Sequence, residues 1–417
     1  MSWEGATVGD LIDAGFAEVK TGPFGTQLKA SDYVETGTPV INVRNIGFGH
    51  VREEKLEFIS EETTQRLSSH LLREKDIVFG RKGAVERHAF IRDKQSRWLQ
   101  GSDCLRLRIV SEEHVLARYL SYVFLTPRHQ AWMIQHCSHG ATMASLNQDI
   151  IRRIQLDLPS LDAQRRVVMI LSAYDDLIEN NTRRIEILEE MARRLYEEWF
   201  VQFRFPGHEG VAFKKMPIHD VADVVRGRSY RSADLVENGR PFVNLKCINR
   251  DGGYRRDGLK YYSGKYKSEQ LVSSGDIVMA VTDMTQERRI VARAALVPDL
   301  GELQGVISMD LVKIIPKDGV SALYLYAFFR WSDFSDNVKN HATGANVLHL
   351  HPGLIASYDI DLPPQEVCKS FEDKVRPAIE LADVIEKKNA NLRVQRDLLL
   401  PKLISGEIDV SDIPMPT

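Results

Sequence analysis

The sequence has four cysteines in 417 residues: Cys104, Cys137, Cys247 and Cys368. They lie far apart with no C-x-x-C pair, which excludes the usual zinc spacings and a disulfide framework and leaves reduced thiols as the expectation. Charge of one sign is also lacking. Fifty-five Lys and Arg against 58 Asp and Glu leave a net charge of -3, so no global field draws the chain onto a polyanion and any nucleic-acid site must be local. No run of about 18 apolar residues occurs, and the N-terminal stretch MSWEGATVGDLIDAGF has no basic flank before an apolar run, so a cytoplasmic protein without a membrane span is expected.

Catalytic signatures are missing as well. The one Pro-Pro, in Leu362-Pro-Pro-Gln365, lacks the aromatic residue of an amino-methyltransferase motif. There is no Gly-x-x-x-x-Gly-Lys-Ser/Thr loop, and Gly47-Phe-Gly49 lacks the third glycine of a dinucleotide fingerprint. His136, Cys137 and His139, and His349 with His351, have no companion ligands at known spacing, so no metal is expected.

What is present is a repeat. The length predicts two or three domains, and 43% hydrophobic residues supply ample core. Thr38-Pro-Val-Ile-Asn-Val-Arg-Asn-Ile46 matches Arg240-Pro-Phe-Val-Asn-Leu-Lys-Cys-Ile248, and Glu74-Lys-Asp-Ile-Val-Phe79 matches Ser274-Gly-Asp-Ile-Val-Met279. Ala117-Arg-Tyr-Leu-Ser-Tyr-Val-Phe124 matches Ala322-Leu-Tyr-Leu-Tyr-Ala-Phe-Phe329; Gly140-Ala141 pairs with Gly344-Ala345, and Asp157-Leu-Pro159 with Asp361-Leu-Pro363. Five anchors stay in order at one offset of about 200 residues, which chance rarely achieves.

Each copy begins with short alternating runs between Gly, Pro, Asn and Asp turn signals, the texture of a mixed α and β globule. A long helix follows. The first places Val167, Leu171, Tyr174, Ile178, Asn181, Ile185, Leu188, Ala192, Leu195 and Trp199 at alternating steps of four and three, a heptad seam with charged residues between. The second repeats the rhythm with Phe371, Val375, Ala378, Ala382, Ile385, Asn389, Leu392, Arg396, Leu399 and Leu403, but Pro377 interrupts a hydrogen bond and Arg396 falls on the stripe. Asn181 and Asn389 either fix the register from inside the seam or face water at its edge.

The predicted fold class is therefore α+β. Two mixed α/β domains, 1–158 and 204–362, are separated by long antiparallel coiled-coil helices in segments 159–203 and 363–417, with an internal pseudo-twofold repeat. Antiparallel pairing would put the globules at opposite ends. Some 35 helical residues would then form a rod of about 50 Å, the length of about 15 base pairs.

Two unlike globules on a stiff spacer suit an asymmetric, split site on double-stranded DNA. The candidate contacts in the first globule are Lys29, Arg44, Asn45, Arg81, Lys82 and Arg87, with His88 beside them. In the second they are Arg226, Arg228, Tyr230, Arg231, Lys246, Arg288 and Arg289. Arg and Asn can make paired hydrogen bonds to guanine and adenine, and Lys serves phosphates. The competing readings are a nuclease or methyltransferase that acts alone, a stand-alone coiled-coil scaffold between proteins, and a DNA-binding adaptor of another phage-defence system.

The phrase Thr21-Gly-Pro-Phe-Gly-Thr-Gln-Leu-Lys-Ala-Ser-Asp-Tyr33 resembles the opening of a target recognition domain. The helix Glu186-Ile-Leu-Glu-Glu-Met-Ala-Arg-Arg-Leu-Tyr-Glu-Glu-Trp-Phe-Val201 and the tail Leu398-Leu-Leu-Pro-Lys-Leu-Ile-Ser-Gly-Glu-Ile-Asp-Val410 are similar to the DNA specificity subunits of type I restriction-modification systems. The resemblance covers nearly the whole chain. It implies a non-catalytic subunit for defence against foreign DNA, with two variable recognition domains on two conserved helices. It also implies two modification subunits that use S-adenosylmethionine to methylate adenine at N6, and restriction subunits that use ATP and Mg. One departure is that Val281-Thr-Asp-Met-Thr285 and Glu287-Arg-Arg289 replace the Gly83 phrase of the first copy.

Overall fold

The alternating runs of each copy close into strands of matching order. The computed structural model describes residues 5–137 and 144–414, and groups them into two units: Met1–Glu179 with Ala390–Thr417, and Asn180–Asn389. The Gly140-Ala141 anchor and His139 lie outside the described residues.

In the first unit, β1 (Ala17–Thr21), β2 (Ile77–Gly80), β3 (His88–Phe90) and β4 (Cys104–Ile109) form an antiparallel sheet in the order β1-β4-β2-β3. Its apolar face packs on the helix Ala117–Leu125, burying Phe79, Leu105, Tyr119 and Phe124. A second small sheet joins Tyr33–Val34, Glu57–Ile59, Thr38–Ile41 and Leu99–Gln100, the last two parallel. The long helix α1 (Leu161–Tyr196) enters this unit with Val167 and Leu171, which share the core with Leu400 and Leu403.

The second unit repeats the plan. The strands β5 (Ala222–Arg226), β6 (Ile277–Ala280), β7 (Ala294–Leu296) and β8 (Leu311–Pro316) take the order β5-β8-β6-β7, and the partner sheet gains a fifth strand, Leu271–Val272. The helix α2 (Gln365–Ile404) runs on through Pro377, so the expected interruption does not end it. Phe371 packs within 4.9–6.4 Å, ring to ring, of Tyr196, Trp199 and Phe200.

One staple recurs in both units. Asp76 accepts from the Arg73 amide at 2.8 Å and from Arg108 at 2.7 Å; Asp276 accepts from the Ser273 amide and from Lys313, each at 2.7 Å. Each carboxylate thus caps the turn entering a strand and neutralises a cation from the neighbouring strand, at equivalent places in the two copies.

The seams are buried or half-buried throughout, including Tyr174, Ile178, Ile185, Leu188, Leu195, Ile385, Leu392 and Leu399. In the second unit the Asn181 amide donates to the Asn389 Oδ1 at 2.9 Å, and Asn389 donates to the Thr182 hydroxyl at 3.4 Å. Both asparagines are buried, which decides against the water-facing alternative. Asn181 meets Asn389 and Trp199 meets Phe371, so the helices run antiparallel there, residue against residue. In the first unit Arg396 donates to Asp175 at 2.8 Å, and a cation on the apolar stripe thereby finds its counter-ion. Among the described residues no helix is long and apolar enough to cross a membrane.

Candidate nucleic-acid interface

Antiparallel order puts the C-terminal ends of β1 and β2 at the same edge of the sheet as the N-terminal ends of β3 and β4. The loop after β1, the β2–β3 hairpin and the turn before β4 therefore converge there in the first unit, and a fourth segment, 144–148, joins them. Gly22, after β1, donates its amide to the Cys104 carbonyl at 2.9 Å; a Cβ on it would lie 1.9 Å from the Gly101 carbonyl oxygen, so only glycine fits. In the β2–β3 hairpin the Arg81 amide donates to the Asp103 carbonyl at 2.8 Å, and the Leu146 amide donates to the Arg81 carbonyl at 2.8 Å. Gly83, with φ +78°, makes the turn, and its amide donates to the Ala144 carbonyl at 3.0 Å. Gln148 donates to the Thr21 hydroxyl at 2.9 Å, joining the fourth loop to the first.

This edge carries Arg81, Lys82 and Arg87 together. Lys82 is exposed, 3.3 Å from Asp103, and the Arg87 guanidinium lies 5.2 Å from the Phe48 ring centroid. Arg44 and Lys29 are exposed, but Arg44 is held by Glu57 at 2.6 Å. Asn45 is a correction. It is fully buried, its amide donates to the Arg52 and Glu54 carbonyls at 3.0 and 3.2 Å, and its Oδ1 accepts from the Asn42 amide at 3.1 Å. Its donors and acceptor hold a turn and leave nothing for a base edge.

The second unit assembles the same edge from Arg226, Arg228, the hairpin after β6 and the turn before β8. The Arg228 amide donates to Ile307 at 2.7 Å and its carbonyl accepts from Met309 at 2.8 Å. Arg228 and Arg288 each keep a buried Nε with no hydrogen-bond partner among the described residues. Arg288 has φ +53°, a strained conformation for a side chain of this size, and Arg289 reaches 4.0 Å from Asp251. Arg231 and Lys246 are exposed on the turns after β5 and after Arg240–Val243. Tyr230 is half spent: its ring packs edge-on to Phe242 at 4.8 Å, so it belongs to the small sheet's core more than to the loop edge.

Exposed apolar side chains on these edges had not been singled out from the sequence: Phe24 at 63%, Met284 at 67% and Met309 at 48%. The Gly-Pro-Phe-Gly phrase around Phe24, a large ring in a turn without bulky neighbours after it, is the one available signal.

His88 and His129 sit beneath the first edge. Burial holds both down to about 3, far below the usual histidine value of 6.5, and the His88 Nε2 lies 2.9 Å from the Ser121 hydroxyl. The unfolded chain takes up protons near pH 6.5 while the folded one does not until about pH 3, so their contribution is complete above pH 6.5 and lost as the pH falls. At pH 5 each should cost the first unit about 2 kcal/mol. The five histidines of the second unit are exposed, so hydrogen exchange at pH 5 should rise across the first unit and stay flat across the second. Uniform exchange would contradict this. Of the histidines considered above for metal binding, His136 stacks on Trp132 at 4.0 Å, and the His351 Nδ1 accepts from the Gly353 amide at 3.1 Å.

Two copies of one α/β plan, each with a basic loop edge and each sharing its core with the two long helices, define a class of internally duplicated α/β proteins. Residues 2–190 match the family model described as type I restriction modification DNA specificity domain. The chain is 24% identical over 325 residues to the type I restriction enzyme MjaIX specificity subunit of Methanocaldococcus jannaschii, covering 73% of this chain and 72% of that one. It is 23% identical over 336 residues to the HindI specificity subunit of Haemophilus influenzae, covering 65% and 72%. The crystal structure of the type I restriction-modification S subunit of M. genitalium shares the fold, with a TM-score of 0.59 at 12% identity over 93% of this chain and 94% of that one. The chain is thus similar to type I specificity subunits over about 70% of their length.

Proposed function

We propose that this chain is the specificity subunit of a type I restriction-modification complex, reading one half of an asymmetric bipartite DNA site with each recognition domain. Segments 1–158 and 204–362 serve as readers, and segments 159–203 and 363–417 as spacer and docking platform. The observation that carries this reading is one scaffold used twice with unlike loops. The edge built on Arg81–Arg87 has a counterpart of different length and residue content in 281–293, so the two readers would prefer different bases.

The chain itself is assigned no catalysis. Two modification subunits would bring S-adenosylmethionine and adenine N6 methylation, and restriction subunits would bring ATP and Mg, all in the cytoplasm. The outer faces of the helices support docking of this kind. Leu177, Val394 and Leu398 in the first unit and Ile187, Met191, Leu381 and Val384 in the second are exposed at 42–63%, although the heptad seams do not use them. Methylation mapping of host DNA with the chain present and deleted tests the whole reading. Two short blocks with a fixed gap should be modified only when the chain is present; an unchanged map would refute it.

A further inference from the structure

The repeat breaks most sharply at one hairpin. In the first unit the link from β2 to β3 is short, turns on Gly83, and presents Lys82 at its tip. In the second unit the link from β6 to β7 covers 281–293, and Asp283 builds it. That carboxylate is 4% exposed and accepts from the Thr285 amide at 2.8 Å, the Thr285 hydroxyl at 2.9 Å and the Ile290 amide at 3.1 Å. Gln286 adds a bond to the Ala345 carbonyl at 3.1 Å, and Thr282 and Asp283 pair with His349 and Leu348.

Within this stapled loop stands Met284. It is 67% exposed, the most of any large hydrophobic side chain among the described residues. A backbone fixed on both sides of a thioether that touches little does nothing for the core. What it does is hold an apolar group at a set position, with Arg288 and Arg289 following on the same hairpin and Arg228 and Met309 on neighbouring loops.

We propose that Met284 is a base-reading residue of the second unit and recognises the C5 methyl of a thymine in the major groove. This rests on the reading that the loop edge faces DNA. The thymine methyl is the apolar feature of the major-groove edge, and contact with it distinguishes thymine where hydrogen-bonding groups do not. An unbranched, polarizable thioether adapts to that methyl, while the nearby arginines serve phosphates and guanines. Lys82 of the first unit corresponds instead to Thr282, each bridging to the following loop at Ser145 and His349, so Met284 has no counterpart in the shorter hairpin and the two half-sites differ in kind at this position.

The test is selection by the full chain from a random duplex library made with thymine and again with uracil, for the wild type and for Met284→Ala. Wild type on the thymine library should return two blocks. In one block a thymine should lose about tenfold in preference in Met284→Ala, with the other block untouched. The uracil library should produce the same loss at the same position in wild type, and Met284→Ala should be indifferent to the exchange. Because the side chain is exposed, the unfolding midpoint should not move. Unchanged selection by Met284→Ala, or a wild-type preference that survives uracil, overturns the proposal. A wild type that enriches nothing removes the DNA reading and this inference with it.

Discussion

Replacing Asp175 by alanine should cost the first unit about 3–5 kcal/mol, the range for stripping the counter-ion from buried charges. The carboxylate is 13% exposed and gathers three donors: Arg118 at 2.6 Å, the Tyr122 hydroxyl at 2.8 Å and Arg396 at 2.8 Å. Without it, Arg118 and the Tyr122 phenol lose their carboxylate in a region shared by α1, α2 and the helix Ala117–Leu125, while Arg396 keeps only the exposed Asp397, at 2.8 Å. Arg118 cannot easily turn outward, since it lies over the rings of Phe90 and Tyr122 at 4.7 and 4.5 Å. Urea unfolding followed through the first unit measures the loss. Arg396→Ala should cost less, because Asp175 keeps Arg118. A loss below about 1 kcal/mol for Asp175→Ala would mean that water substitutes for the carboxylate.

Lengthening both long helices by one heptad should widen the gap between the two DNA blocks by about three base pairs. Seven residues add about 10 Å to each helix and return the seam to its phase. The insertions belong after Glu189 and after Leu381, which lie level by the pairing of Asn181 with Asn389 and of Trp199 with Phe371. An insertion in one helix alone slides half of its seam past the partner and should abolish selection instead. A gap unchanged by the matched pair would show that the helices do not set it.

The fold was legible because periodicity reports faces. Steps of four and three located α1 and α2 to within a few residues, and collinear anchors revealed two copies before any strand was assigned. Periodicity does not report partners. Arg396 reads as a defect on its stripe until Asp175 is known to face it. Asn45 sits in the kind of turn where a base reader would stand, yet its amide closes that turn on Arg52 and Glu54. Met284 escaped notice for the converse reason: composition treats a methionine as core, and only the Asp283 hydrogen bonds show it held away from any core.

The Asn181–Asn389 layer has a further consequence. The repeat that carries Val167 onto Phe371 carries Asn181 onto Ile385 and sets Asn389 against Ile185, so the amide pair has no twin at the related level of the bundle. If two sister molecules exchanged helices like for like, each asparagine would meet isoleucine and forfeit its hydrogen bond, at about 1–3 kcal/mol apiece. The layer therefore favours α1 against α2 over α1 against α1 or α2 against α2 while many copies are made side by side.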